Sequence, residues 1–178
     1  MFIFSDAYQG LYSKVDNVPK LSPPFLLQTN CRNTMQIFKK AYEEYDGPPI
    51  SPPSIQGEQI QEKIDSSVRS QVGYICNTLT KLCIDGDVKK EDVVILVADS
   101  QNLRGCMKQL VSTCSKISFV EQEHISFGKV RVSTVKRFKG LESLVLILWG
   151  IRDIPEHLRK EIQYVGLTRA KSRCFLVN

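Results

Sequence analysis

The chain has 178 residues, of which 42% are hydrophobic and 24% charged. This ordinary globular usage excludes global disorder, a collagenous repeat and low complexity. Its 24 basic and 19 acidic residues give a mildly basic net charge of +5, and no apolar run approaches the roughly 18 residues of a membrane span.

The length suits one domain with one sizeable core. Met1 to Phe4 reads as a short apolar strand, without the basic and long apolar regions of a secretory signal. Asn33 or Thr34 can cap a helix running to about Tyr45, ended by Asp46-Gly47-Pro48-Pro49. After Asp65, Val68, Val72, Ile75, Leu79 and Leu82 fall at steps of four and three, one face of an amphipathic helix. Val93 to Val97 is apolar on both faces, as in a buried parallel strand. Asp99 or Ser100 then caps a helix with the stripe Leu103, Cys106, Met107, Leu110, Val111 and Cys114. Strands at Val130 to Thr134 and Leu144 to Trp149 follow, then a helix opened by Pro155 and a last strand, Cys174 to Val177. Strands alternating with helices predict an α/β domain with a mainly parallel sheet.

The six cysteines contain no C-x-x-C pair and the chain has only two histidines, so a zinc site is not expected. Reduced thiols and an intracellular compartment are expected instead. Five bases and no acid lie between His124 and Leu141; Arg159, Lys160, Arg169, Lys171 and Arg173 are opposed only by Glu161. Each group is either a solvated face or a polyanion site. Ligands of open parallel sheets bind beyond the carboxyl ends of the strands, and the loop from Val135 to Glu142 is expected there. Gly140 permits positive φ, Lys139 and Arg137 suit phosphates, and Glu142 can accept from a ribose hydroxyl. Arg169 continues the stripe Leu158, Ile162 and Val165, either as a snorkelling surface residue or as a guanidinium offered to an anion.

Four segments, in order, resemble the later motifs of superfamily 1 helicases of the UvrD/Rep type. Ser5-Asp6-Ala7-Tyr8-Gln9-Gly10-Leu11-Tyr12 resembles D-x-x-Q-x-I-Y, and Leu27-Gln28-Thr29-Asn30-Cys31-Arg32-Asn33-Thr34 resembles L-x-x-N-Y-R-S-T. Val132 to Glu142 resembles T-x-H-x-x-K-G-L-E, and Tyr164 to Lys171 resembles Y-V-A-L-T-R-A-K. The resemblance implies a RecA-like three-layer sandwich. Residues 1–20 would close a first RecA-like domain and 21–178 would form the second. It further implies ATP with Mg²⁺, single-stranded nucleic acid and an N-terminal RecA-like domain in cis as partners. By resemblance, Gln9 senses the γ-phosphate, Arg32 and Arg169 stabilise the transferring phosphoryl group, and Glu142 holds the ribose. Gly140 and Lys139 belong to the nucleotide side; Thr134, Lys136 and Arg137 lie toward the nucleic acid.

The departures are specific. No G-x-x-x-x-G-K-[ST] and no acidic D-E pair before Asp6 occur in the chain, so the phosphate loop and Mg²⁺ ligands are not in it. Cys31 stands where the family has an adenine-stacking tyrosine, and Lys136 where it has histidine. Ser13-Lys14-Val15 lacks the aromatic-arginine pair that helps grip a base. Such departures suit a second reading, a Schlafen-like or degenerate helicase domain that binds nucleic acid without turning over ATP.

Overall fold

The structure is a computed structural model that describes residues 29–43, 45 and 47–178. The strand expected at Met1 to Phe4, Gln9 and the 1–20 domain boundary lie outside the described residues. Among the described residues, six parallel strands form one sheet in the order β1-β6-β5-β2-β4-β3. They are β1 (Gln61–Lys63), β2 (Val93–Val97), β3 (Phe119–Glu121), β4 (Val130–Thr134), β5 (Ser143–Trp149) and β6 (Ala170–Val177). Among the described residues four α-helices flank the sheet: α1 (Met35–Ala41), α2 (Val68–Cys83), α3 (Leu103–Thr113) and α4 (Glu156–Leu167).

The two-sided apolarity of β2 and β5 has a direct cause. Successive side chains of a strand point to opposite faces. Val94, Leu96, Leu146 and Leu148 pack with Ile37, Ala41, Ile162 and Val165 of α1 and α4. Val93, Ile95, Val97, Val145, Ile147 and Trp149 pack with Val72, Ile75, Leu79, Leu103 and Leu110 of α2 and α3. Each fully buried aliphatic side chain contributes about 1.5–3 kcal/mol, so these two strands anchor both halves of the core. Trp149 is buried, and its indole N–H donates to Gln71 Oε1 at 2.7 Å. That bond satisfies the one polar atom of an otherwise apolar ring.

Several boundaries differ from expectation. Helix α1 stops at Ala41 because Tyr42 leaves helical geometry, its ring packing between Phe38, Tyr45 and Tyr164. Thr34 holds the N-cap position, yet its hydroxyl caps nothing. The Met35 and Gln36 N–H groups instead donate to the Ile55 and Gln56 carbonyls, at 2.7 and 3.2 Å. Asn102, rather than Asp99 or Ser100, precedes α3, because Asp99 closes a turn with the Gln101 and Asn102 N–H groups. Strand β6 begins four residues earlier than expected, at polar positions where alternation carries no apolar signal. The three-residue edge strands β1, which is polar, and β3, which has Phe119 and Val120 before Glu121, were not expected.

The expectation of six reduced thiols is corrected at one pair. Cys76 of α2 and Cys114, which caps α3, form a disulfide with a Cα–Cα distance of 5.3 Å. That separation is in the range a disulfide requires, and it arises because α2 and α3 pack side by side on the sheet. Cys31, Cys83, Cys106 and Cys174 are free. Burial pushes the Cys106 thiol up to about 11. Among the described residues no helix is long and apolar enough to cross a membrane.

Candidate functional site

The site is assembled from three segments far apart in sequence. The first is the turn Asn30-Cys31-Arg32-Asn33. Asn30 Oδ1 accepts the Arg32 and Asn33 N–H groups, both at 3.0 Å, and Asn30 Nδ2 donates to Asn33 Oδ1 at 2.8 Å. This side-chain turn is why asparagine suits position 30. Asn33 is 3% exposed, and its Nδ2 donates to the Ala170 carbonyl at 2.6 Å and the Thr168 carbonyl at 3.3 Å. Those carbonyls flank Arg169, so one amide ties the Arg32 turn to the junction of α4 and β6.

The second segment joins at the same junction. Ser143 N–H donates to the Arg169 carbonyl at 3.0 Å, and Ser143 pairs with Ala170 at the start of both strands. Glu142 therefore sits beside Arg32 and Lys171. Arg32 Nε lies 3.1 Å from Glu142 Oε2, and Lys171 Nζ bonds Glu142 Oε1. The hydrogen bond from Lys171, followed by the nearby charges of Lys171 and Arg32, outweighs slight burial and holds the Glu142 carboxyl below the usual range. Two exposed cations share one carboxylate, leaving a net positive patch that offers both a hydroxyl acceptor and anion donors.

Arg169 is buried, which departs from the snorkelling reading. It is 2% exposed, so it neither snorkels nor lies open to solvent. Its Nε donates to the Val165 carbonyl at 3.1 Å and its Nη2 to Thr168 Oγ1 at 3.1 Å. The guanidinium thus closes the last turn of its own helix, where cations complement the dipole.

The expected location holds for the start of the loop, which leaves the carboxyl end of β4, but not for Glu142. The cluster lies at the amino ends of β5 and β6, not beyond the carboxyl ends. Val97 pairs with both Thr134 and Trp149, which puts Thr134 level with the far end of β5. The loop 135–142 therefore runs back along the height of the sheet, from the carboxyl end of β4 to the amino end of β5. It is coiled by bonds from the Phe138 N–H to the Thr134 carbonyl and from the Leu141 N–H to the Phe138 carbonyl. Gly140 sits at φ +87°, as its place in the loop required.

The loop residues divide accordingly. Thr134 is buried, and its Oγ1 accepts the Arg137 N–H at 3.2 Å, so it shapes the loop. Lys136 is exposed and Lys139 half-buried. Arg137 turns toward the sheet edge, 3.2 Å from Glu121 and 3.8 Å from Glu123. Arg137 and Glu142 are therefore engaged in separate ion pairs. Lys171 and Asn33 lie inside the quoted motifs, but nothing in their spacing marks them as the partners of Glu142 and of the Arg169 junction. Among the described residues no group of three or more His, Cys, Asp or Glu side chains could hold a metal ion.

No family model and no curated protein matches the sequence. Among solved structures, the chain is similar to the C-terminal domain of a possible DNA helicase from Lactobacillus plantarum WCFS1. The TM-score is 0.67 at 17% identity, over 83% of this chain and 86% of that one. Two structures of arterivirus nonstructural protein 10, a helicase, one of them in complex with DNA, give TM-scores of 0.45 and 0.44 at 8% and 9% identity. The chain spans only 30% of their length. The parallel six-stranded sheet flanked by helices is a RecA-like fold, shared with that C-terminal domain.

Proposed function

We propose that this chain is the second RecA-like domain of an ATP-dependent helicase or translocase of the UvrD/Rep type, acting on single-stranded nucleic acid. One observation carries the reading: Arg32, Glu142 and the Arg169 junction, 27 or more residues apart in sequence, meet at the amino ends of β5 and β6. In this reading Glu142 takes the ribose, while Arg32 and Arg169 stabilise charge on the transferring phosphoryl group. Gly140 and Lys139 shape the nucleotide side, and Lys136, with Thr134 and Arg137 holding its loop, faces the nucleic acid. The donor set fits a nucleotide, since an ionised carboxylate flanked by two cations suits a sugar hydroxyl beside phosphates. It does not fit Mg²⁺, whose ligands, like the phosphate loop, would come from an N-terminal RecA-like domain with Gln9 at its border.

The test is ATP hydrolysis by the complete protein, with and without single-stranded nucleic acid. Arg32→Ala is the informative variant, because that side chain is half-exposed and its loss leaves the core intact. It should lower kcat by about 10³-fold, the lower range for a charge-stabilising arginine, with nucleotide still bound. Unchanged stimulated turnover would sink the proposal. Arg169→Lys is the better second variant, because alanine there would open a buried hole.

The burial of Arg169 favours a second reading, a Schlafen-like or degenerate binding module without turnover. A guanidinium closed into its own helix turn is not displayed to a phosphate. Single-strand binding that weakens steeply with salt, in a protein without ATPase activity, would select this reading.

A further inference from the structure

Arg131 takes no part in the proposed chemistry, yet it is placed at a cost. It lies on β4 between Val130 and Val132, which pack into the α2 and α3 core, so its side chain points to the other face. There the loop 135–142, rather than a helix, covers the strand. The guanidinium is 3% exposed and, among the described residues, forms no salt bridge. Nη1 donates to the Glu123 carbonyl at 3.1 Å and Nη2 to Ser143 Oγ at 3.0 Å. Its Cζ lies 5.3 Å from the centre of the Phe138 ring, while Nε is buried without a hydrogen-bond partner. Ser143 Oγ passes the connection on, donating to the Asp92 carbonyl at 2.7 Å.

A charge buried without a carboxylate seldom stabilises a fold, and an apolar side chain of similar size usually serves stability as well or better. What Arg131 does provide is one contact inside the loop and one at its exit. It touches Phe138, inside the loop, and Ser143, the residue immediately after Glu142. A planar fork on a long stem can stack on a ring and bond a hydroxyl together, which a lysine cannot do. We infer that Arg131 is a positioning residue: it fixes the exit of the loop 135–142 and so sets the Glu142 carboxylate against Arg32 and Lys171. The importance of that carboxylate for a nucleotide rests on the function proposed above, but the loop geometry does not.

The experiment uses amide hydrogen exchange on this chain, with urea unfolding alongside. In Arg131→Met, amides of residues 135–143 should exchange about tenfold faster, the worth of one hydrogen bond, while those of β2 and β5 stay as they were. The urea midpoint should not fall. Unchanged exchange in the loop, or a uniform rise across the sheet with a lower midpoint, would overturn the inference. Ser143→Ala provides a check if Arg131→Met fails to fold. It should also loosen the loop, and adding Arg131→Lys to it should bring less than Arg131→Lys brings alone, because the two share the Arg131–Ser143 bond; fully additive effects would count against the idea. In the complete protein, Arg131→Lys should raise the KM for ATP about tenfold and leave kcat within about threefold, the pattern of weakened uniform binding. A fall in kcat at unchanged KM would contradict a positioning role. A complete protein that binds no ATP would instead refute the proposed function, and loop exchange alone would then decide the role of Arg131.

Discussion

Replacing Asn33 by alanine deletes three hydrogen bonds at the point where the Arg32 turn meets the Arg169 junction. Two of them, at 2.6 and 3.3 Å, satisfy the Ala170 and Thr168 carbonyls; the third, at 2.8 Å, receives the Asn30 amide. The side chain is almost wholly buried, so water does not replace these bonds freely. At about 0.5–1.5 kcal/mol for each bond, the variant should lose about 2–4 kcal/mol of stability. Trp149 is the single tryptophan and is buried, so its fluorescence reports urea unfolding directly. With a slope of about 2 kcal/mol per molar urea, the midpoint should fall by about 1–2 M. Asn33→Asp keeps the shape but turns a donor into an acceptor facing two carbonyls. It should be at least as damaging at neutral pH, and less so in acid, where protonation restores a donor. A midpoint unchanged by Asn33→Ala would refute the claim that this amide joins the two segments.

Gly57→Ala should destabilise by more than about 2 kcal/mol, because φ is +75° and a Cβ would stand 2.3 Å from Thr34 Cβ. Combining it with Thr34→Gly should recover part of the loss in the same urea assay. Asp65 has its pKa lowered from 3.8 to about 2, chiefly by the Ser70 hydroxyl, then by the Ser67 N–H and Lys63. Its carboxylate therefore favours the fold above pH 3.8, and that contribution is lost as pH falls through about 2. Asp65→Asn should flatten acid unfolding within this window, and an unchanged acid profile would refute the assignment. In denaturant, the air-equilibrated protein should titrate four thiols and the reduced protein six. Reduction should lower stability by about 4 kcal/mol, from the chain freedom regained between positions 38 residues apart.

The central fold was legible because its signals are redundant. Val93 to Val97 and Leu144 to Trp149 are apolar at every position, and only a strand covered on both faces needs that. Strands β1 and β3 were not legible, since three residues at a sheet edge are too few to show periodicity. Glu142 and Arg169 could be named because their motifs are specific, and Arg32 because its segment falls in order with them. Their environment could not, because burial of Arg169 and sharing of Glu142 by Arg32 and Lys171 depend on how distant segments meet. The return of Val135 to Glu142 along the strands follows from the parallel pairing of both β4 and β5 with β2. Cys114 was placed on the apolar stripe of α3, but its pairing with Cys76 required the relative placement of two helices.

That doubling back leaves the chain almost no slack. Thr134 and Ser143 are separated by six residue levels along β5 and by two strand spacings across the sheet, a span of about 22 Å. Nine links could stretch to about 30 Å, but the coil around Phe138 shortens the first part. The segment therefore acts as a tether of fixed length between opposite rims of the sheet. Removing one residue would unwind the coil or drag β5 out of register, whereas adding one would cost the fold little. The added residue would still uncouple the two rims, so the length of this segment is constrained more tightly than the identity of most side chains in it.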